Sequence, residues 1–158
     1  MSDSIEYPAL YLKRGEDARL RAGHVWVFSN EVDVARSPLT EFEPGEVCAI
    51  VDHHGKPIGV GYVNPASLIA ARLVTRGLEH AFDRSLIVHR LNVALALRER
   101  LYAEPYYRLV FGEADGLPGL VLDRFGDVLV GQITTAGMER QKDAITEAIV
   151  KVLKPRQL

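Results

Sequence analysis

The apolar pattern of this chain changes period between residues 75 and 80, and that change divides it into an all-β part and a β/α part. Before it, short alternating segments are separated by glycine, proline and asparagine, which is how half-buried strands read. Glu46–Asp52, Pro57–Val63 and Leu68–Val74 follow in quick order, joined by the turns His53-His54-Gly55-Lys56 and Asn64-Pro65-Ala66-Ser67. Ahead of them Ala9–Lys13 alternates, Gly15–Ala22 suits a short helix with Gly23 as its left-handed cap, and His24–Asn30 is extended and aromatic. Strands this short and this closely spaced predict a small barrel.

Beyond Phe82, apolar residues recur at helical spacing. Ile87, Leu91, Ala94, Leu95 and Leu101 share one face of a helix over Phe82–Tyr102, with Asp83 placed as its N-cap. Strands are expected at Tyr107–Phe111, Leu120–Asp123 and, after a turn at Arg124–Asp127, Val128–Ile133. A last helix over Gly137–Leu153 turns Ile145, Ala148, Ile149 and Val152 inward and ends before Pro155. The expected fold is α+β, a small β pseudo-barrel over residues 1–76 followed by a small β/α domain over residues 77–158.

Composition narrows the function classes. With 47% hydrophobic and 25% charged residues, the chain is core-forming rather than disordered. No apolar run approaches a membrane span, and Met1–Tyr7 is acidic and polar, unlike a signal peptide, so the expected location is cytoplasmic. Cys48, the single cysteine, excludes an intramolecular disulfide and a cysteine-rich zinc site. It lies in an apolar strand with no neighbouring base and reads as a small hydrophobe, not a nucleophile. His53-His54 form a turn while His24, His80 and His89 stand alone, so no metal site is expected.

Net charge is −2, and neither half is basic: residues 1–78 hold 8 Lys+Arg against 10 Asp+Glu, and residues 79–158 hold 11 of each. Any affinity for nucleic acid therefore needs a local patch rather than bulk attraction. One candidate exists. Lys13, Arg14, Arg19 and Arg21 fall within nine residues, close to His24, and such groups contact phosphates while an exposed aromatic stacks on an unpaired base. The competing reading is an ordinary solvated helix. A lone tryptophan in an apolar strand usually packs, so Trp26 is expected in the core.

Residues 8–75 resemble a PUA domain, the small RNA-binding pseudo-barrel attached to RNA-modifying enzymes. The resemblance rests on Lys13-Arg14, the Arg19/Arg21 helix with Gly23, and His24-Val25-Trp26-Val27-Phe28-Ser29. It rests further on Gly55 with Gly59-Val60-Gly61-Tyr62, and on Asn64-Pro65 and Ser67 leading to Arg72. It implies Lys13, Arg14, Arg19, Arg21, His24 and Arg72 as RNA contacts.

Residues 80–154, and above all GEADGLPGL at 112–120, resemble the central domain of bacterial S-adenosylmethionine-dependent methyltransferases that make 5-methylcytosine in large-subunit ribosomal RNA. In that family a Rossmann-like catalytic domain follows. The chain ends at Leu158, so it is expected to be the front part of such an enzyme, with ribosomal RNA and the missing methyltransferase domain as partners and oligomers possible. No catalytic residue is assigned: the cysteine nucleophile and donor site lie elsewhere in the family, and no glycine-rich string here follows a strand and opens a helix, so no cofactor is expected in this chain. Glu113 and Asp115 are read as structural, with Asp115 closing its turn through backbone N–H groups. Arg108, Glu113, Asp115 and Arg124 are the candidate interface with RNA or the catalytic domain. The alternative is a non-enzymatic protein–protein docking module.

Overall fold

Strand β4 (Pro57–Val63) is buried from Ile58 onward, because it is the central strand of a five-stranded sheet. It pairs antiparallel with β3 (Glu46–Val51) on one side and β5 (Ile69–Arg76) on the other. β1 (Ala9–Tyr11) adds in parallel to β3, and β2 (Trp26–Phe28) closes the far edge antiparallel to β5, giving the order β1-β3-β4-β5-β2. The sheet curls into a half-barrel around a core that includes Leu10, Leu20, Val27, Ile50, Ile58 and Leu73. Leu20 enters it from α1 (Ala18–Arg21).

The computed structural model describes residues 6–158. The chain divides into two compact units between Phe82 and Asp83, a few residues past the change of period, because Phe82 stacks on Tyr62 of β4 with ring centroids 6.1 Å apart. Among the described residues no helix is long and apolar enough to cross a membrane.

The second unit begins with α2 (Arg84–Leu101), whose N-cap Asp83 accepts from the Leu86 N–H as its position predicts. A three-stranded antiparallel meander follows, β6 (Tyr106–Phe111), β7 (Leu120–Phe125) and β8 (Val128–Ile133). α3 (Ala136–Arg140) and α4 (Lys142–Leu153) complete it, and α4 packs on α2. Ile87, Leu91, Ala94, Ile145, Ala148 and Ile149 are buried as the periodicity requires.

Several expectations are corrected. The final helix is two, because at Gln141 (ψ +9) the backbone leaves the α region and its N–H bonds Met138 at three-residue spacing. Leu101 is 65% exposed at the end of α2, and the preceding turn of that face is taken by Arg98 instead. Arg124 lies inside β7, and the turn narrows to Gly126 (φ +66) and Asp127. α1 spans four residues, not eight, with Gly23 (φ +116) beyond its end. Trp26 is the largest departure: it is 39% exposed, not core. Val27 is fully buried, so strand alternation puts Trp26 on the opposite, outer face of β2.

The GEADGLPGL segment forms a one-turn 3-10 helix over Gly112–Asp115 that ends at Gly116 in the left-handed region (φ +70). Asp115 holds it shut. Its Oδ2 accepts from the Phe111 N–H (2.7 Å), and its two oxygens take a bidentate contact from Arg98 at 2.5 and 2.8 Å. Both side chains are nearly buried, at 13% and 6% exposure for Arg98 and Asp115. Breaking such a pair by removing one partner leaves a desolvated charge and costs about 3–5 kcal/mol. Asp115→Ala is therefore expected to lower stability by that order in urea unfolding, with Arg98→Ala close to it; a decrease under about 1 kcal/mol would show that the pair is solvated.

Candidate nucleic-acid interface

Four residues make a helix too short to stand alone. α1 is held by what its side chains reach. Leu20 is in the core, and Arg21 pairs with Asp17 (2.6 Å) and with Asp52 (3.0 Å) at the β3–β4 turn. The Asp52 carboxyl sits below its ordinary pKa range chiefly because it accepts the Lys56 and His54 backbone N–H groups, with Arg21 adding to the effect. From β5, Arg76 donates to the Leu20 and His24 carbonyls and satisfies the helix end. Sequence reasoning missed this anchor; that the end of β5 lies opposite the end of α1 is visible only once the sheet order is known.

Arg19 connects the helix to the outer face of β2. Its Nη2 donates to the Trp26 carbonyl (3.2 Å) and to Glu31 Oε1 (3.1 Å), and its guanidinium lies 5.1 Å from the centre of the Phe28 ring. Phe28 meets Trp26 edge-on at 6.4 Å, and Arg72, the register partner of Trp26 on β5, lies over the indole at 5.9 Å. Lys13, Arg14 and His24 are exposed on the same unit, and neither Lys13 nor Arg14 forms an ion pair among the described residues. Of the six predicted contacts, Arg19 and Arg72 are brought to one aromatic patch, Arg21 is engaged at the β3–β4 turn, and the other three are exposed.

The four residues singled out in the second unit have structural surroundings of their own. Arg108 forms a bidentate pair with Asp123 (2.8 and 3.2 Å) across β6 and β7 and lies over Phe111. Arg124 donates to the Tyr107 hydroxyl and the Gly126 carbonyl. Asp115 closes its turn as expected through a backbone N–H, with Arg98 as a partner sequence reasoning did not supply. Glu113 is half-buried beside it. Cys48 is fully buried, and burial, with the Glu46 carboxylate adding to it, pushes its thiol far above the usual range. A thiol held protonated in this way is no nucleophile.

A PUA-like domain model matches residues 10–76, the span that carries every side chain of this patch. The first unit is a PUA-like domain. Over nine-tenths of its length the chain is also homologous to proteins named ribosomal RNA large subunit methyltransferase I. It is 40% identical to that of Salmonella gallinarum over 147 residues and 38% identical to that of Aliivibrio fischeri over 146. Those matches cover 91% and 90% of this chain and 36% of each relative, so the chain spans about a third of the length of the curated relatives it matches. Solved structures agree on the fold. SMU.776, described as a methyltransferase and complexed with SAH, superposes with a TM-score of 0.79 over 94% of this chain and 38% of its own, at 14% identity. A protein described as a SAM-dependent methyltransferase from Streptococcus mutans gives 0.78 over the same shares.

Glu31 gives the patch a testable linkage. It is 6% exposed, its Oε1 is held by Arg19, and its Oε2 has no hydrogen-bond partner among the described residues. Removing Arg19 leaves a buried carboxylate without its counter-charge, at a cost of about 1–3 kcal/mol, whereas replacing both partners by apolar groups is far milder. Arg19→Met is expected to lower the urea midpoint, and adding Glu31→Leu to recover at least half of the decrease. Equal midpoints for single and double variants would show that Glu31 does not depend on Arg19.

Proposed function

We propose that this chain is the RNA-recognition part of a cytoplasmic, S-adenosylmethionine-dependent ribosomal RNA methyltransferase acting at C5 of a cytosine. The observation that carries the reading is the coincidence of two matches: the PUA-like span 10–76 and the 40% identity over 147 residues to a protein named for methylating large-subunit ribosomal RNA. Recognition falls to the first unit, where Lys13, Arg14, His24, Arg19 and Arg72 offer cationic or polar heads to phosphates. The second unit, residues 83–158, positions that domain relative to the remainder of the longer protein.

Adenosylmethionine supplies the methyl group in this chemistry, and the residues described here do not fit it. The glycine turn of the second unit is filled rather than open: a Cβ at Gly116 would meet the Arg90 guanidinium and one at Gly119 would collide with Thr135. Addition at the base also requires a reactive thiolate, which the buried Cys48 does not provide. On this proposal both belong to the remainder of the longer protein.

A docking role for the second unit has one specific observation in its favour. Tyr106, Phe111, Phe125 and Val130 are each about half exposed or more on its sheet, an apolar set of the kind that covers another surface. Salt separates the two modes of association, because phosphate contacts release counterions and apolar docking does not.

The test uses Lys13 and Arg14, exposed cations that form no ion pair among the described residues. Lys13→Ala with Arg14→Ala is expected to weaken binding of a labelled ribosomal RNA fragment and to lower the slope of log K against log salt by about 1–2, near 1 for each phosphate that is no longer neutralised. An unchanged slope would remove this end of the domain from the interface.

A further inference from the structure

We propose that Trp26 is a stacking platform for an unpaired RNA base, an inference that rests on the RNA-recognition reading above and specifies its substrate as single-stranded rather than duplex RNA. The chain has one tryptophan. It sits on the edge strand β2, 39% exposed, while its neighbour Val27 is fully buried, so the indole is presented outward by a strand whose other face is fixed in the core. Orientation is fixed as well. Phe28 meets the indole at a 90° interplanar angle, and Arg72 lies over it from the register-paired position on β5.

The chemistry around the ring selects the occupant. Arg72 approaches the indole itself, and Arg19 lies over the adjoining Phe28 ring while bonding the Trp26 carbonyl. An aromatic face flanked by two guanidinium groups matches a ligand that combines a flat π-system with a nearby anion, which is a nucleotide. An apolar protein segment would bring no anion to either guanidinium group. Within a duplex both faces of each base are covered by its neighbours, so only a splayed base can take this place. Arg19 in turn is set by Glu31, which makes Glu31 a positioning residue for the patch.

The single tryptophan makes the site its own reporter. The intact 158-residue chain would be titrated with a short unstructured oligoribonucleotide and with the same sequence as a duplex, reading tryptophan emission and, in parallel, anisotropy of labelled RNA. Stacking predicts that the unpaired strand quenches emission and the duplex does not. It also predicts that Trp26→Ala weakens binding roughly 5- to 100-fold, the range expected for one stacked base, and that Trp26→Phe retains most of the affinity. Circular dichroism of both variants checks that they fold. RNA binding with unchanged emission and full affinity in Trp26→Ala would overturn the platform while leaving RNA recognition standing. Equal quenching by strand and duplex would overturn the preference for an unpaired base. No anisotropy change with either RNA would overturn this inference and the reading beneath it together.

Discussion

Two missing Cβ atoms in the central strand hold the first unit together. A side chain at Gly59 would collide with the Thr75 carbonyl of β5, and one at Gly61 with the Arg72 carbonyl. With neither present, β5 lies close against β4, and the pairing shifts register between Val60 and Gly61. Such a bulge increases local twist and lets a sheet curl. From that approach the candidate interface follows. β5 carries Arg72 to its place opposite Trp26 and Arg76 to the end of α1, and without the curl neither contact has a geometry to occupy.

A near-neutral chain can still place cationic groups locally if its acids fix them in position. Glu31, Asp17 and Asp52 each hold an arginine of α1, and Asp115, Asp123 and Asp127 hold Arg98, Arg108 and Arg156 in the second unit. For the exposed pairs, unlike the nearly buried Arg98–Asp115, pairing contributes little stability in itself. Its effect is positional: Arg19 is pinned between a buried carboxylate and a backbone carbonyl, so its guanidinium is pre-set against Phe28 instead of sweeping solvent. Lys13 and Arg14 are exposed and outside any such pair among the described residues, and they complement that fixed group.

Much of this is legible in the sequence, and the rest is hidden for identifiable reasons. Period-2 and period-3.6 patterning locates the central strands and α2, and Asp83 marks its helix start, because core burial imposes those spacings directly. Residue type points Trp26 inward, but alternation decides its place: in HVWVFSN the valines take the inner face, which leaves Trp26 and Phe28 outside. Arg98 and Arg76 are invisible in the sequence because each is defined by a partner across the fold, 17 and 56 residues away. The role of Asp115 as a turn closer is legible; the buried guanidinium that completes it is not. The cationic cluster is visible as a run of residues, but only the sheet order shows that Arg72 and Arg19 converge on one aromatic patch while Arg21 turns to Asp52.

On the proposed function, RNA is recognised by one face of the PUA-like unit, built by α1, β2 and β5. Mapping backbone amide shifts of the 15N-labelled chain on addition of a ribosomal RNA fragment tests it most directly. Perturbations are expected to concentrate at Lys13–Arg14, Arg19–Phe28 and around Arg72, with the β6–β8 sheet of the second unit nearly silent. Perturbations centred on Tyr106, Phe111 and Phe125 instead, or none at all, would contradict it.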